Sequence, residues 1–390
     1  MSEQKKTKRS ILRNSAFQTV IASLLCIVIG IFVGYIILLI INPSGAGEAI
    51  LTILKNFLYY PNKATAMKYF GTTLVKASAL LMCALSVLFA NKVGLFNIGA
   101  AGQYVIGAGA CLYCALAWHM PWYVCLIASI VAGALLGMIS GLLKTFFNVN
   151  EVISCIMLNW ISLYCVNMLL STVKDASSPY TKTLKNTNSS AMLPNLGLDQ
   201  LFSGNDLVTI GVPLSIVAAI LVWVVLEKTK LGYELKATGM NKEAARYCGM
   251  NENRNIVLTM MIAGGLAGMG AGIYFLTGAE TWMVSQTSVP SMGFNGIAAA
   301  FLGGLHPIGA IFASYFIQHI TSGGSYVDTS IYCTQISDLI SAFIIYLCGF
   351  VLFFKQSMNR YLDRRDEKKA EEAKKAKEQS ANTQSKGGEE

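Results

Sequence analysis

The stretch Lys236-Ala-Thr-Gly-Met-Asn-Lys-Glu-Ala-Ala-Arg-Tyr-Cys-Gly249 is short, charged and bounded by turn residues, and it stands between two long apolar runs. Asn241 can cap a helix start, because its side-chain oxygen accepts a backbone N–H of the first turn. Gly249 can end the same helix, since glycine tolerates the left-handed conformation needed there. Between them lie about two helical turns, with Ala244 and Ala245 as small knobs beside Glu243. A helix this short is not stable alone and needs something else to hold it.

On either side the chain is apolar. Hydrophobic residues fill 54% of the 390 positions and charged residues only 13%, where a soluble domain carries about 25%. The charges gather at the ends and in a few loops, leaving runs that satisfy the roughly 20 apolar residues a bilayer crossing requires. The fold class is therefore all-α, polytopic in a membrane. The net charge of +9 reads as a cytoplasmic excess of Lys and Arg, not as a nucleic-acid surface.

Crossings are predicted over residues 17–41, 72–90, 95–118, 122–147, 152–171, 207–226, 256–277, 307–322 and 331–354. The segment 290–304 is apolar but too short for full width, and reads as a half-helix or tilted short span. That makes about ten transmembrane helices. The first run is too long for the core of a cleavable signal, so it is an uncleaved span with its N-terminus inside. The expected organisation is a basic N-tail (1–16), a transmembrane domain (17–354) and a charged cytoplasmic tail (355–390). Within the domain lie an outer loop at 172–206 and a cytoplasmic loop at 227–255. Charge tests this topology: 23 of the 30 Lys and Arg fall on the assigned inner side, six outside, and Lys76 within a span. Both termini are then cytoplasmic. Gly133, Gly137 and Gly141, and again Gly264, Gly268 and Gly272, recur every fourth residue, a spacing that lets helices approach closely in a membrane.

The ten cysteines lie mostly inside apolar runs, where Cys acts as a small apolar residue. The three histidines, His119, His306 and His319, are far apart, and no metal-ligating or catalytic spacing occurs. No phosphate-binding G-x-x-x-x-G-K-[ST] loop is present, so no cofactor is expected on this chain. Intramembrane ionisable groups are few, chiefly Lys76, Asp338 and Glu151 at a span entrance, and each is costly in lipid. Each also has a structural reading: Lys76 can snorkel outward, Glu151 can cap its helix, and Asp338 can pair with neighbouring polar groups. Glycine-rich spans with few charges suit a path for a neutral or zwitterionic solute. Its candidate lining is Asn97, Gln103, Asn159 and Asn295, with Asp338.

The run Val93-Gly-Leu-Phe-Asn-Ile-Gly-Ala-Ala-Gly-Gln103 resembles a signature of the permeases in the branched-chain amino acid and sugar group of ATP-binding cassette importers. That family usually has Glu where Ala101 stands here. Asn150-Glu151-Val-Ile with Met157-Leu-Asn159, Ala237-Thr-Gly-Met-Asn241 through Glu243-Ala-Ala245, and Gly293-Phe-Asn-Gly-Ile-Ala with Leu302-Gly-Gly304 are similar to three more of its stretches. The wording is nearest to the permeases of bacterial nucleoside (guanosine-type) importers. The resemblance implies a fold like that of the vitamin B12 importer permease, in the bacterial cytoplasmic membrane. It also implies a paralogous permease partner, cytoplasmic ATPase subunits that hold the ATP, and a lipid-anchored substrate-binding protein outside. Asn241, Glu243, Ala244, Ala245 and Gly249 would then contact the ATPase, although Thr259 stands where the longer coupling pattern has Ile. A nucleoside is the expected solute, with simple sugars or branched-chain amino acids as alternatives. An ion-coupled secondary transporter would need Asp338 with Lys76 as its relay.

Overall fold

A computed structural model describes residues 15–328 and, discontinuously, positions between 331 and 371. Asp338, much of the predicted last span, and most of both tails lie outside the described residues. The helices are α1 (Ser15–Ile41), α2 (Ala46–Lys55), α3 (Lys63–Lys92), α4 (Ala100–Leu116), α5 (Trp122–Phe147) and α6 (Glu151–Leu170). After the outer loop come α7 (Gly211–Lys228), α8 (Lys230–Met240), α9 (Lys242–Tyr247), α10 (Glu252–Phe275), α11 (Met292–Leu302) and α12 (Pro307–Gly323). Six of the described helices are long and apolar enough to cross a membrane, and α4 and α11 are shorter apolar helices. The chain is a multi-pass, mainly helical membrane protein.

The middle of the molecule is α3. Every residue from Ala77 to Ala90 is buried, as expected of a helix apolar on all sides. Of the most apolar windows of α5 and α6, only a third of the residues are buried, so their outer faces meet lipid. The helix α3 begins nine residues before the predicted 72, because Asn62 caps it by accepting the N–H of Ala64. Lys63 and Lys68 ride on this capped extension, which apolar counting alone discards. The predicted third span loses its first residues, 95–99, to a non-helical stretch before α4.

The two glycine series pack on each other. A Cβ at Gly133 would lie 2.3 Å from the Gly264 carbonyl oxygen, and one at Gly137 2.1 Å from that of Met260. Only hydrogen fits there, so α5 and α10 touch backbone to backbone. Ser129 on α5 donates to the Gly268 carbonyl in the same seam. Lys144 at the end of α5 pairs with Glu151 in the first turn of α6, while Asn150 caps α6 by accepting the N–H of Val152 at 2.9 Å.

The short segment is a half-helix. With 11 residues, α11 is about 16 Å long, half of the ~30 Å hydrocarbon core. Its glycines seat it. A Cβ at Gly293 would lie 2.3 Å from the Ala101 Cα on α4, and one at Gly296 2.6 Å from the Cys83 Cβ on α3.

Candidate functional site

The N-terminal end of α11 opens on a cavity of about 460 Å3. Lys76 of α3, Tyr104 of α4 and Tyr274 of α10 form its walls. Glu280 and Trp282 come from the loop between α10 and α11, and Asn295 stands one turn into the half-helix. Trp282, Tyr104 and Tyr274 are buried by the protein, Lys76 and Asn295 are half-buried, and Glu280 is exposed.

The loop carrying Glu280 is held in place. Trp282 donates its indole N–H to Asn167 Oδ1 at 2.9 Å, which satisfies the one polar group of a buried ring. Asn167 in turn donates to the Gln286 carbonyl at 2.8 Å. The backbone of Trp282 exchanges contacts with Thr181 of the outer loop, accepting its N–H at 2.8 Å and donating to its hydroxyl at 3.1 Å. Val284 N–H reaches the Pro179 carbonyl at 2.9 Å. The outer loop therefore clamps the roof of the cavity. Tyr274 and Glu280 line the same cavity. No ion pair joins Lys76 or Glu280 to a partner among the described residues, so two opposite charges face one cavity without neutralising each other.

Three of the predicted lining residues are brought together elsewhere. Asn97 donates to Ser86 Oγ at 2.9 Å and to Gln103 Oε1 at 2.8 Å, and Gln103 donates back to Asn97 Oδ1 at 3.2 Å. Asn159 accepts the N–H of Gly102 at 2.8 Å and donates to the Ile98 carbonyl at 3.2 Å. All three are buried. They brace the non-helical 95–99 segment, and Asn159 pairs its Ile98 carbonyl, which would otherwise be unpaired inside a membrane. Asn295 is the predicted residue that lies on the cavity.

On the other side of the membrane part, Asn241 caps α9 by accepting the N–H of Ala244 at 3.0 Å, and Gly249 ends it at φ +79°. The two alanines differ. Ala244 is exposed beside Glu243, whereas Ala245 is only 3% exposed and turns toward the start of α10. The most exposed apolar groups there are Met240 at 87% and Tyr247 at 90%. This loop also touches α3. A Cβ at Gly239 would lie 2.4 Å from the Val93 carbonyl carbon, and Thr238 accepts from Asn255 of α10 at 2.8 Å. A rigid backbone contact thus links the polar loop to the helix that carries Lys76.

Sequence reasoning missed Glu280, Trp282, Tyr104 and Tyr274 at the cavity, and Met240 and Tyr247 at the loop. One signal was available: Glu280 and Trp282 are two positions apart, in the short stretch between the span ending at 277 and the half-helix segment. Among the described residues no group of three His, Cys, Asp or Glu could hold a metal ion.

Residues 69–349 match the family described as "Branched-chain amino acid transport system / permease component". The guanosine ABC transporter permease protein NupP of Bacillus subtilis is 31% identical, over 83% of this chain and 90% of its own length. The nucleoside ABC transporter permease protein NupB of Lactococcus lactis is 30% identical, over 85% of this chain and 91% of its own. The glucose ABC transporter permease protein TsgB13 of Haloferax volcanii is 28% identical, over 75% and 79%.

Proposed function

The chain belongs to the branched-chain amino acid transport system permease family, and on that premise we propose that it is the permease subunit of a nucleoside importer driven by ATP. As an ABC permease it works with ATPase subunits and a substrate-binding protein. In the proposed assembly the ATPases dock on α9, a paralogous permease completes the path, and a lipid-anchored binding protein delivers solute from outside. About ten crossings with both termini cytoplasmic agree with the distribution of basic residues.

The observation that carries the reading is the cavity beside a half-helix, walled by Tyr104, Tyr274, Phe275 and Trp282 and faced by Lys76 and Glu280, which form no ion pair among the described residues. A largely apolar wall with a few polar groups suits a small ring-shaped solute and orients it. ATP closes the ATPase dimer, and α9 moves with it. The contact of Gly239 with Val93 passes that movement to α3, so that the cavity alternates between outward and inward access. Asn241, Glu243, Ala244 and Gly249 shape the docking helix, Ala245 seats it, and Met240 and Tyr247 add exposed apolar contacts.

The test is uptake into proteoliposomes that contain the chain, its partner permease and ATPases, with the binding protein added outside. Labelled guanosine or another nucleoside should accumulate only with ATP. Accumulation of glucose or leucine and of no nucleoside would overturn the substrate class. Sugar is the second reading because of the glucose permease relative. ATP-independent accumulation would favour an ion-coupled carrier.

A further inference from the structure

We propose that Glu280 determines specificity in the cavity by reading a nucleobase edge with two adjacent N–H donors, the edge of a 2-amino-6-oxopurine. The inference rests on the nucleoside reading above and assigns that reading a residue. An ionised carboxylate only accepts, through two oxygens with about four lone-pair sites. No basic side chain neutralises the carboxylate among the described residues, so its accepting capacity stays available at the cavity it lines.

The backbone that carries it is fixed two residues on by Trp282, which is bonded through both its indole and its main chain. Trp282, Tyr104 and Tyr274 are buried around the same space and give it an aromatic wall. Lys76 adds an ammonium donor from α3, suited to a ring carbonyl oxygen. Acceptor and donor in one cavity complement a base whose edge runs carbonyl, ring N–H, amino N–H. A 6-oxopurine without the amino group keeps one of the two donors. A 6-aminopurine presents a ring-nitrogen lone pair to the carboxylate and is repelled. A site built to bond a donor discriminates against an analogue lacking it, because its own acceptor is then left without that partner in the complex.

The experiment compares wild type with Glu280→Gln in the complete transporter, reading the ratio of guanosine to adenosine uptake. The binding protein is the same in both, so its own preference cancels between them. Glutamine keeps the size and replaces one acceptor by a donor. The ratio should fall about tenfold, the equivalent of one lost charge-assisted bond, with inosine between the two and adenosine uptake retained. An unchanged ratio beside strong wild-type guanosine uptake overturns the role of Glu280 and leaves the nucleoside reading standing. A wild type that carries no nucleoside overturns that reading itself. If Glu280→Gln carries neither nucleoside, tryptophan quenching of the purified complex by each one supplies the same ratio without transport, and equal ratios there refute the proposal.

Discussion

Gly239→Ala is the sharpest probe of the link between the docking loop and the cavity. The added Cβ would lie 2.4 Å from the Val93 carbonyl carbon, 2.5 Å from its oxygen and 2.9 Å from Gly94 N. Ordinary contact begins at 3.4 Å, so the loop and the end of α3 must separate by 1.0 Å. All three opposing atoms are backbone, and no side chain can yield instead. Overpacking of this kind costs about 1–3 kcal/mol, which as a coupling term is roughly 5–150-fold. Lys76 lies 16 residues before Lys92 on the same helix, about 24 Å away along its axis, so the displacement acts on the element that forms the cavity wall. The assay measures uptake and ATP hydrolysis in the same proteoliposomes. Hydrolysis should persist while uptake per ATP falls at least about fivefold. Gly47→Ala is the control, since nothing lies within 4 Å of a Cβ there. Normal uptake per ATP in Gly239→Ala, with α3 and the loop still in contact, would refute the mechanical link.

The two alanines of α9 should respond differently to Asp. Ala245→Asp places a carboxylate in a site only 3% exposed and should lower the melting temperature, whereas Ala244→Asp on the exposed side should keep it and lose co-purification with the ATPase; equal behaviour in both assays would contradict the placement. Asn167→Ala leaves the Trp282 indole N–H unpaired, at a cost of about 1–3 kcal/mol, and hydrogen exchange in 276–291 should quicken and the uptake KM rise. Burial, then the nearby Lys92 ammonium, holds the His306 imidazole below its usual pKa, and its Nδ1 accepts the Ile308 N–H at the start of α12. Its folded pKa is lowered, so this cap is intact above about pH 6.5 and stability falls as acid protonates the ring. Thermal unfolding between pH 7 and pH 5 should show that loss in wild type and less of it in His306→Asn.

Much of the architecture is legible because a membrane imposes one rule on each segment by itself. A helix that satisfies its own backbone and is apolar over its length needs no knowledge of its neighbours. The ends of α5 therefore coincide with the predicted 122–147. The cap at Asn241 and the stop at Gly249 are equally local, since each depends on atoms a few residues away. The glycine periods foretold a close helix contact, and the fold adds which helix meets which.

What the chain folds into decided the rest, because those properties belong to pairs of distant residues. Asn97, Gln103 and Asn159 look in sequence like Asn295, a polar side chain inside an apolar run. Packing divides them: Asn97 and Gln103 close on each other, Asn159 bonds the backbone beside them, and Asn295 faces open space. The cavity joins positions 76, 104, 274, 280, 282 and 295 from separate elements, and no local pattern marks them as a set. The stretch 236–249 reads alone as a capped helix with two small knobs. In the fold one knob is turned inward and Gly239 rests on Val93. Caps and apolar runs depend on near neighbours and so are written in the sequence; cavities and backbone contacts across the molecule exist only after the helices have packed.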